Sequence, residues 1–431
     1  MQTSFTDVQL EQPDIQAANN ILRTCVHCGF CTATCPTYLL TGDERDGPRG
    51  RIYLIKDMLE NDTASADAVT HIDRCLSCLG CMTTCPSGVD YMHLVDHARS
   101  HIETKFKRPL ADRFWRGLIA GILPHRGRFR LAMRLGRLAR PFVSLLPGKL
   151  RAMVLLLPSA SGKIPTRETV GKTNEATGER LKRVALLAGC VQQDLAPRIN
   201  AATISLLTRH GCAVVIPSGV GCCGALTHHM GRDDDSLQSV RANVHAWWRE
   251  MDGQGLDAIV VNASGCGTMV KDYGHILRND PQWADKARHV SALACDISEI
   301  AQTLALDISS PGSGLVVAYH SACSLRHGQK IDGGPQQLLA KAGFEIREPA
   351  ASHLCCGSAG VYNILQPEFA TQLGDRKAAS LNKLGADMVA TGNVGCMMQL
   401  AGRLDAPVLH SVELLNWATG GERPEMIRQD K

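Results

Sequence analysis

The sequence predicts a multidomain α+β/α/β chain: an α-helical N-terminal domain, then a duplicated α/β domain built on parallel sheets. Three observations carry this. Two cysteine runs of identical spacing fall before residue 86. Downstream, three sets of cysteines recur at offsets of 133, 133 and 130 residues. Between those cysteines, short apolar runs alternate with helical patterns, which implies parallel strands joined by crossovers.

The 431 residues carry 46 Lys and Arg against 42 Asp and Glu, a net charge of +4. That is chain for two to four domains of roughly 100–200 residues, enough to bury cores without covalent staples. Eighteen cysteines are therefore more than stability requires. Residues 1–20 hold Asp7, Glu11 and Asp14 but no Lys or Arg, so no signal-peptide n-region is expected. No apolar run approaches the roughly 18–20 residues of a spanning helix. The expectation is a cytoplasmic protein with reduced thiols, in which cysteine serves metal or redox chemistry. Disordered, collagen-like and membrane-spanning classes are excluded.

Residues 1–104 form the first domain. Its first run is Cys25-x-x-Cys28-x-x-Cys31-x-x-x-Cys35-Pro36, and its second is Cys75-x-x-Cys78-x-x-Cys81-x-x-x-Cys85-Pro86. Between them, Pro48 and Gly50 open a helix with Ile52, Ile55, Met58 and Leu59 at helical spacing. The repeated spacing, closed each time by Pro, is the ligand pattern of bacterial two-cluster ferredoxins. Three thiolates two residues apart wrap a loop around one corner of a cubane, and the fourth points to the other cluster. On that rule Cys25, Cys28, Cys31 and Cys85 hold one [4Fe–4S] cluster, and Cys75, Cys78, Cys81 and Cys35 hold the second. Gly29 and Gly80 are expected to leave room for sulfide, and Thr32, Thr34, Thr83 and Thr84 to hydrogen-bond cluster sulfur. Two structural zinc sites are the alternative, but zinc rarely calls for this spacing twice.

Residues 105–157 are basic: from Lys105 to Arg151 there are 13 Lys or Arg against one acid, Asp112. Apolar stretches such as Leu118-Ile119-Ala120 interleave with them, so an amphipathic helical segment is expected. It suits a solvated face, a partner subunit or a peripheral contact with anionic lipid at the inner membrane. Nucleic acid is not an expected partner, because aromatic interleaving and a known binding fold are missing. Residues 158–182 are rich in Gly, Ser, Thr and Pro without period and read as a flexible linker.

Residues 183–308 and 309–420 are the two copies of the repeat. Strands are expected at Val184–Leu187, Ala213–Ile216 and Ala258–Val261 in the first copy. In the second they are expected at Val316–Tyr319, Phe344–Arg347 and Met388–Thr391. Cys190, Cys222, Cys223 and Cys266 correspond to Cys323, Cys355, Cys356 and Cys396. Each follows a strand, at the sheet end where ligands gather. These four thiols per copy read either as ligands of a further iron–sulfur cluster or as redox-active vicinal pairs. Cys212 and Cys295 have no counterpart and read as core packing. Gly219-Val220-Gly221-Cys222-Cys223-Gly224 matches the dinucleotide pattern, but the second copy lacks it and no acid-ending second strand follows. No flavin or NAD site is expected on this chain. His228, His229 and His320 read as packed or solvated side chains rather than ligands.

The stretch Arg23-Thr24-Cys25-Val26-His27-Cys28-Gly29-Phe30-Cys31-Thr32-Ala33-Thr34-Cys35-Pro36-Thr37-Tyr38 resembles the glycolate oxidase iron–sulfur subunit family. So do Asp46-Gly47-Pro48-Arg49-Gly50-Arg51-Ile52-Tyr53, Ala263-Ser264-Gly265-Cys266-Gly267 and Ser352-His353-Leu354-Cys355-Cys356-Gly357-Ser358-Ala359-Gly360. The resemblance implies two [4Fe–4S] clusters and a partnership with flavin-containing glycolate oxidase subunits that oxidise glycolate to glyoxylate. It implies electron delivery onward to a quinone or other membrane electron acceptor. The repeat copies look like the cysteine-rich domains of heterodisulfide reductase, which end in Cys-x-x-Cys. Met269 and Gln399 stand where that last Cys would be, so each copy is one ligand short of that pattern. The rivals are an iron–sulfur subunit for lactate or glycerol-3-phosphate oxidation, a thiol–disulfide reductase and a structural zinc protein.

Overall fold

A computed structural model of the protein describes residues 1–155, 157, 170–310, 312 and 314–427. At the N-terminus, helices Pro13–Thr24, Pro48–Glu60, Ala66–Asp73 and Tyr91–Lys105 surround one core. Pro13 and Pro48 occupy first-turn positions, where a missing N–H costs nothing. Ile52, Ile55, Met58 and Leu59 turn inward to meet Leu22, Ile72, Leu94 and Ile102. Gly50 is required by close approach: a Cβ there would stand 2.0 Å from the Glu44 carbonyl oxygen. The turn Glu44–Asp46 thus lies directly on the helix and keeps the first cysteine loop in place.

The basic stretch folds as helices Leu110–Ile122, Arg126–Ala139 and Gly148–Leu155. Ile119, Ala120, Phe129 and Met133 are buried, and the first two pack on Met230, Val361 and Ile364 of the repeats. The opposite face exposes Leu110, Phe114, Leu131, Leu135, Leu138, Phe142 and Leu145. No helix among the described residues is long and apolar enough to cross a membrane.

Of the stretch expected to be a linker, residues 158–169 lie outside the described residues. Residues 173–174 are ordered as strand β1 (Thr173–Asn174), antiparallel to an edge of the first sheet. Edge pairing satisfies main-chain groups whatever the side chains are, so a polar, periodless sequence gave no sign of it.

The first repeat contains β2 (Lys182–Leu187), β3 (Cys212–Val215), β4 (Ala258–Val261) and β5 (Ala294–Asp296). Its sheet order is β1-β3-β2-β4-β5, with every pair parallel except β1 with β3. The second repeat contains β6 (Val316–Tyr319), β7 (Glu345–Arg347), β8 (Met388–Thr391) and β9 (Val408–His410). Its order is β7-β6-β8-β9, all parallel. The orders superimpose strand for strand, so the duplication seen in the cysteines extends to topology.

Side chains on β2 alternate between two cores. Val184 and Leu186 face one that continues into Val317, Tyr319, Leu409 and Leu415 of the second repeat. Ala185 and Leu187 face another, built around Trp247, Val270 and Tyr273. The repeats therefore share an apolar core rather than touching through a thin polar seam.

Candidate metal centres

Each cysteine loop of the N-terminal domain takes left-handed backbone at two alternating positions. In the first loop these are His27 (φ 56°) and Gly29 (φ 83°); in the second, Ser77 (φ 48°) and Leu79 (φ 62°). Alternation of this kind turns successive N–H groups into one concavity, a setting for anionic sulfur. Gly29 thus corresponds to Leu79, not to Gly80. A Cβ on Gly80 would meet no protein atom closer than 3.5 Å.

Cys25, Cys28, Cys31, Cys81 and Cys85 line an open cavity of about 440 Å³ with Val26, Phe30 and Tyr91. Burial pushes the Cys31 thiol up to about 11, and the thiols acting on it are Cys25, Cys85 and Cys28. Burial also raises Cys81, whose strongest thiol neighbours are Cys78, Cys75 and Cys35, with Cys31 last. The thiols that act on Cys31, and those that act most on Cys81, are the ones the spacing sets beside them. Among the described residues, no three of these eight bring their sulfurs within 4.8 Å of one another. Four thiols set apart around a shared space fit a cubane, which takes each on a different iron, better than a single ion.

The second set has a cationic floor. Arg51, 1% exposed, donates to the His71 carbonyl (2.8 Å), Thr37 Oγ1 (3.0 Å) and Cys35 Sγ (3.8 Å). Arg99 donates to the Cys75 carbonyl (2.7 Å), and the Tyr91 hydroxyl lies 3.7 Å from Cys75 Sγ. Burial alone would raise the Cys75 thiol, but the Arg51 and Arg99 guanidiniums bring it below its ordinary value. The hydroxyls of Thr32, Thr34 and Thr83 have protein partners. Thr32 and Thr34 hydroxyls donate to the Gly29 and Cys31 carbonyls, and Thr83 pairs with His327 Nδ1 at 2.7 Å. Thr37, which follows Pro36, is the hydroxyl that reaches a thiol, 3.3 Å from Cys35 Sγ.

In each repeat the four thiols converge at the carboxyl ends of the central strands, where the strand order reverses. Gly224 N–H donates to Cys222 Sγ and Gly357 N–H to Cys355 Sγ, both at 3.4 Å. Hydrogen bonds from Cys190 and Cys223 hold the Cys222 thiol well below its ordinary value. In the second repeat, Cys323 Sγ lies 3.7 Å from Cys355 Sγ, and that contact, with burial, pushes Cys323 up. Its neighbour across the domain boundary is Cys78: Leu76 and Cys78 share an apolar cluster with Cys323, Cys355, Tyr362 and Leu373.

Cys212 is fully buried in the shared core and Cys295 packs against it. His228 and His229 are tied to the buried Asp96, at 3.4 and 3.1 Å. His320 is different. It is 1% exposed, both its ring nitrogens lack a hydrogen-bond partner, and it stands with Cys356 and Cys396, the ligand atoms all within 4.8 Å. Burial depresses its pKa to about 3, so the ring is neutral. Nothing in the local sequence marks it; the signal lay in the repeat, where Leu187 stands 133 residues earlier.

Comparison with known proteins agrees with this layout. The family "4Fe-4S dicluster domain" matches residues 21–89, and "Cysteine-rich domain" matches 184–271 and 317–401. The chain is 42% identical to the glycolate oxidase iron-sulfur subunit of Escherichia coli (strain K12), over 97% of this chain and 99% of that one. It is 33% identical to the probable glycolate oxidase iron-sulfur subunit of Bacillus subtilis (strain 168), over 93% and 94%. Lactate utilization protein A of the same organism is 26% identical, covering 54% of this chain. Among solved structures, a hypothetical protein from Helicobacter pylori shares the fold, with a TM-score of 0.53 at 12% identity, covering 96% of this chain and 74% of that one.

Proposed function

The chain belongs to the family of glycolate oxidase iron–sulfur subunits, and from that membership we propose that it carries electrons within a glycolate-oxidising complex. Cys25, Cys28, Cys31 and Cys85 would hold one [4Fe–4S] cluster and Cys75, Cys78, Cys81 and Cys35 the other, each supplying one-electron transfer. Glycolate loses two electrons and two protons on becoming glyoxylate, which is work for a flavin on a partner subunit.

This chain's own residues shape the route. Buried Arg51 and Arg99 place positive charge beside the second thiol set and favour its more negative, reduced state. The first set sits at the surface: Cys28 is exposed, and Val26, Phe30 and Tyr53 around it are 67%, 63% and 56% exposed. An apolar rim beside a redox centre suits the docking face of the flavin subunit. The helix Arg126–Ala139 presents Leu131, Leu135 and Leu138 beside exposed Arg128, Arg134 and Arg137. That face suits anionic lipid, which would bring the chain to a quinone or other membrane carrier.

The observation that carries the reading is the pair of interleaved four-thiol sets in a chain that matches a glycolate oxidase subunit over almost its whole length. The test is co-expression with the flavin-bearing subunits, followed by turnover with glycolate, lactate and glycerol-3-phosphate against a quinone analogue. Glycolate-dependent quinone reduction that needs this chain is expected. Failure to co-purify, or preference for lactate or glycerol-3-phosphate, would sink the proposal.

A further inference from the structure

We propose that the cavity between Pro36 and the second repeat binds a quinone head group, with Lys377 and Ser380 as its polar contacts and Arg376 at its rim. The proposal rests on the reading that electrons leave this chain for a quinone, and it names the place where they leave.

The cavity is open and measures about 420 Å³, within the range of small-molecule sites. Pro36, Leu354 and Leu373 give it apolar walls, and its charged or hydroxyl side chains are Arg376, Lys377 and Ser380. Its lining holds no carboxylate. Apolar walls, donors and no negative charge suit a flat molecule with oxygen acceptors. Pro36 is bonded to Cys35, so that molecule lies one residue from a ligand of the second proposed cluster. Electrons would enter at the exposed first set and leave here, beside the second.

Lys377, in the helix Pro367–Asn382, is only 4% exposed. Lysine is almost never that buried unless paired, yet the partners of its ammonium are two backbone carbonyls, Ala351 at 3.1 Å and Ser352 at 3.4 Å. An ammonium has three protons, which leaves one for a ligand oxygen. Ala351 turns its carbonyl to Lys377 from left-handed backbone (φ 55°), a conformation residues with a Cβ rarely take and one that gathers at ligand sites. The Ser380 hydroxyl donates to the Ala350 carbonyl at 3.1 Å, so its lone pairs are left to accept from a quinol hydroxyl. Reduction takes two electrons, one from each reduced [4Fe–4S] cluster, and two protons from water, and leaves quinol and two oxidised clusters. The Lys377 charge stands beside the oxygen on which negative charge builds.

The first repeat gives the internal contrast. A Cβ on Gly224 would meet Val240, and one on Gly357 would meet Leu373, which sets the two helices in register at the 133-residue offset. On that register Val244 stands for Lys377 and Trp247 for Ser380. Val244 and Trp247 are fully buried in one core. The first copy thus puts an indole where the second has a hydroxymethyl group, and an isopropyl group where the second has a cation.

The test uses the chain assembled with its flavin-bearing subunits, and 2,3-dimethoxy-5-methyl-1,4-benzoquinone as the probe. Ser380→Trp, which copies the first repeat, should raise the half-saturating quinone concentration at least about tenfold, with iron content and cluster EPR unchanged. Independently, an azido derivative of the same quinone, activated by light on the full chain, should label the peptides holding Leu354 or Leu373, and excess unlabelled quinone should suppress the label. A Ser380→Trp complex that reduces quinone from glycolate at the wild-type half-saturation overturns the site and leaves the reading of the function standing. Label confined to other peptides does the same. Label suppressed by acetate but not by quinone would make the cavity a carboxylate site and end the proposal. A wild-type complex that reduces no quinone defeats both the site and the acceptor reading. If Ser380→Trp fails to fold, the label on the wild-type chain decides.

Discussion

The two cysteine-rich repeats share sheet order and thiol offsets, yet they meet the N-terminal domain in opposite ways. The second repeat meets it chiefly through thiols and apolar groups, with one polar contact from Thr83 to His327: Cys323 and Cys355 lie with Leu76 and Cys78, and Arg74 sits over the Phe369 ring at 5.1 Å. The first repeat meets it through a polar clamp on the helix Tyr91–Lys105. Asp96 pairs with His228 and His229, His93 bridges Asp90 and Asp272, and Ser100 bonds Asp233. The difference teaches that duplication preserves a scaffold and its sulfurs while the surroundings decide what each copy does. One copy's thiols adjoin a proposed cluster; the other copy is a brace.

The largest effect expected from this contrast is on the metal centres. Cys78→Ser should remove about four irons and reduce electron transfer by orders of magnitude, because a cubane ligand is lost. Cys222→Ser, in the bracing repeat, should leave about eight irons and the cluster spectra in place. Iron analysis and low-temperature EPR on both variants check this; loss of cluster signals in the Cys222 variant would erase the distinction.

Next in size is a break in the clamp. Gly231 has φ 76°, and a Cβ there would stand 2.3 Å from the Arg99 carbonyl oxygen. Gly231→Ala must therefore both strain its own backbone and push the helix away, at a cost of about 2–4 kcal/mol. Gly178→Ala shares the positive φ (89°) but meets nothing within 4 Å, so it should cost only about 1 kcal/mol. Denaturant titration of the pair separates the contact from the backbone term, and equal losses would show that the clamp carries no load.

The smallest effect is a pH dependence confined to the clamp. His93 is held between Asp90 and Asp272 and stacks on His275, with Arg278 nearby. Burial opposes its charge, but the two carboxylates win and raise its pKa to about 10. His275, buried and facing that charge, falls to about 4. A raised histidine contributes stability that is whole below its ordinary value of 6.5 and is lost as pH rises through about 10. Between pH 8 and 10.5 the melting temperature of wild type should fall about 3–6 °C more than that of His93→Gln. Parallel curves for the two proteins would remove His93 from the clamp.

Much of this was legible before any coordinates. β4, and most of β2, β6 and β8, are apolar runs buried on both faces, and such runs announce themselves. β5 and β9 did not, because Ala294-Cys295-Asp296 and Val408-Leu409-His410 are three residues long and run straight into helices capped by Asp296 and His410. The eight N-terminal cysteines stood out because loop geometry fixes their spacing in sequence. His320 could not, since its neighbours Cys356 and Cys396 are distant in the chain and only the β6–β8 pairing brings them together. The same holds for Arg51, which reads as one more surface charge in a helix until the fold buries it beside Cys35 and Cys75.

The most direct test of the central claim is to reduce the assembled complex with glycolate alone, without oxygen, and record its EPR spectrum. Signals of reduced [4Fe–4S] clusters, absent before glycolate and lost in Cys28→Ser and Cys78→Ser, are the predicted result. Clusters that reduce with dithionite but stay silent with glycolate would contradict it.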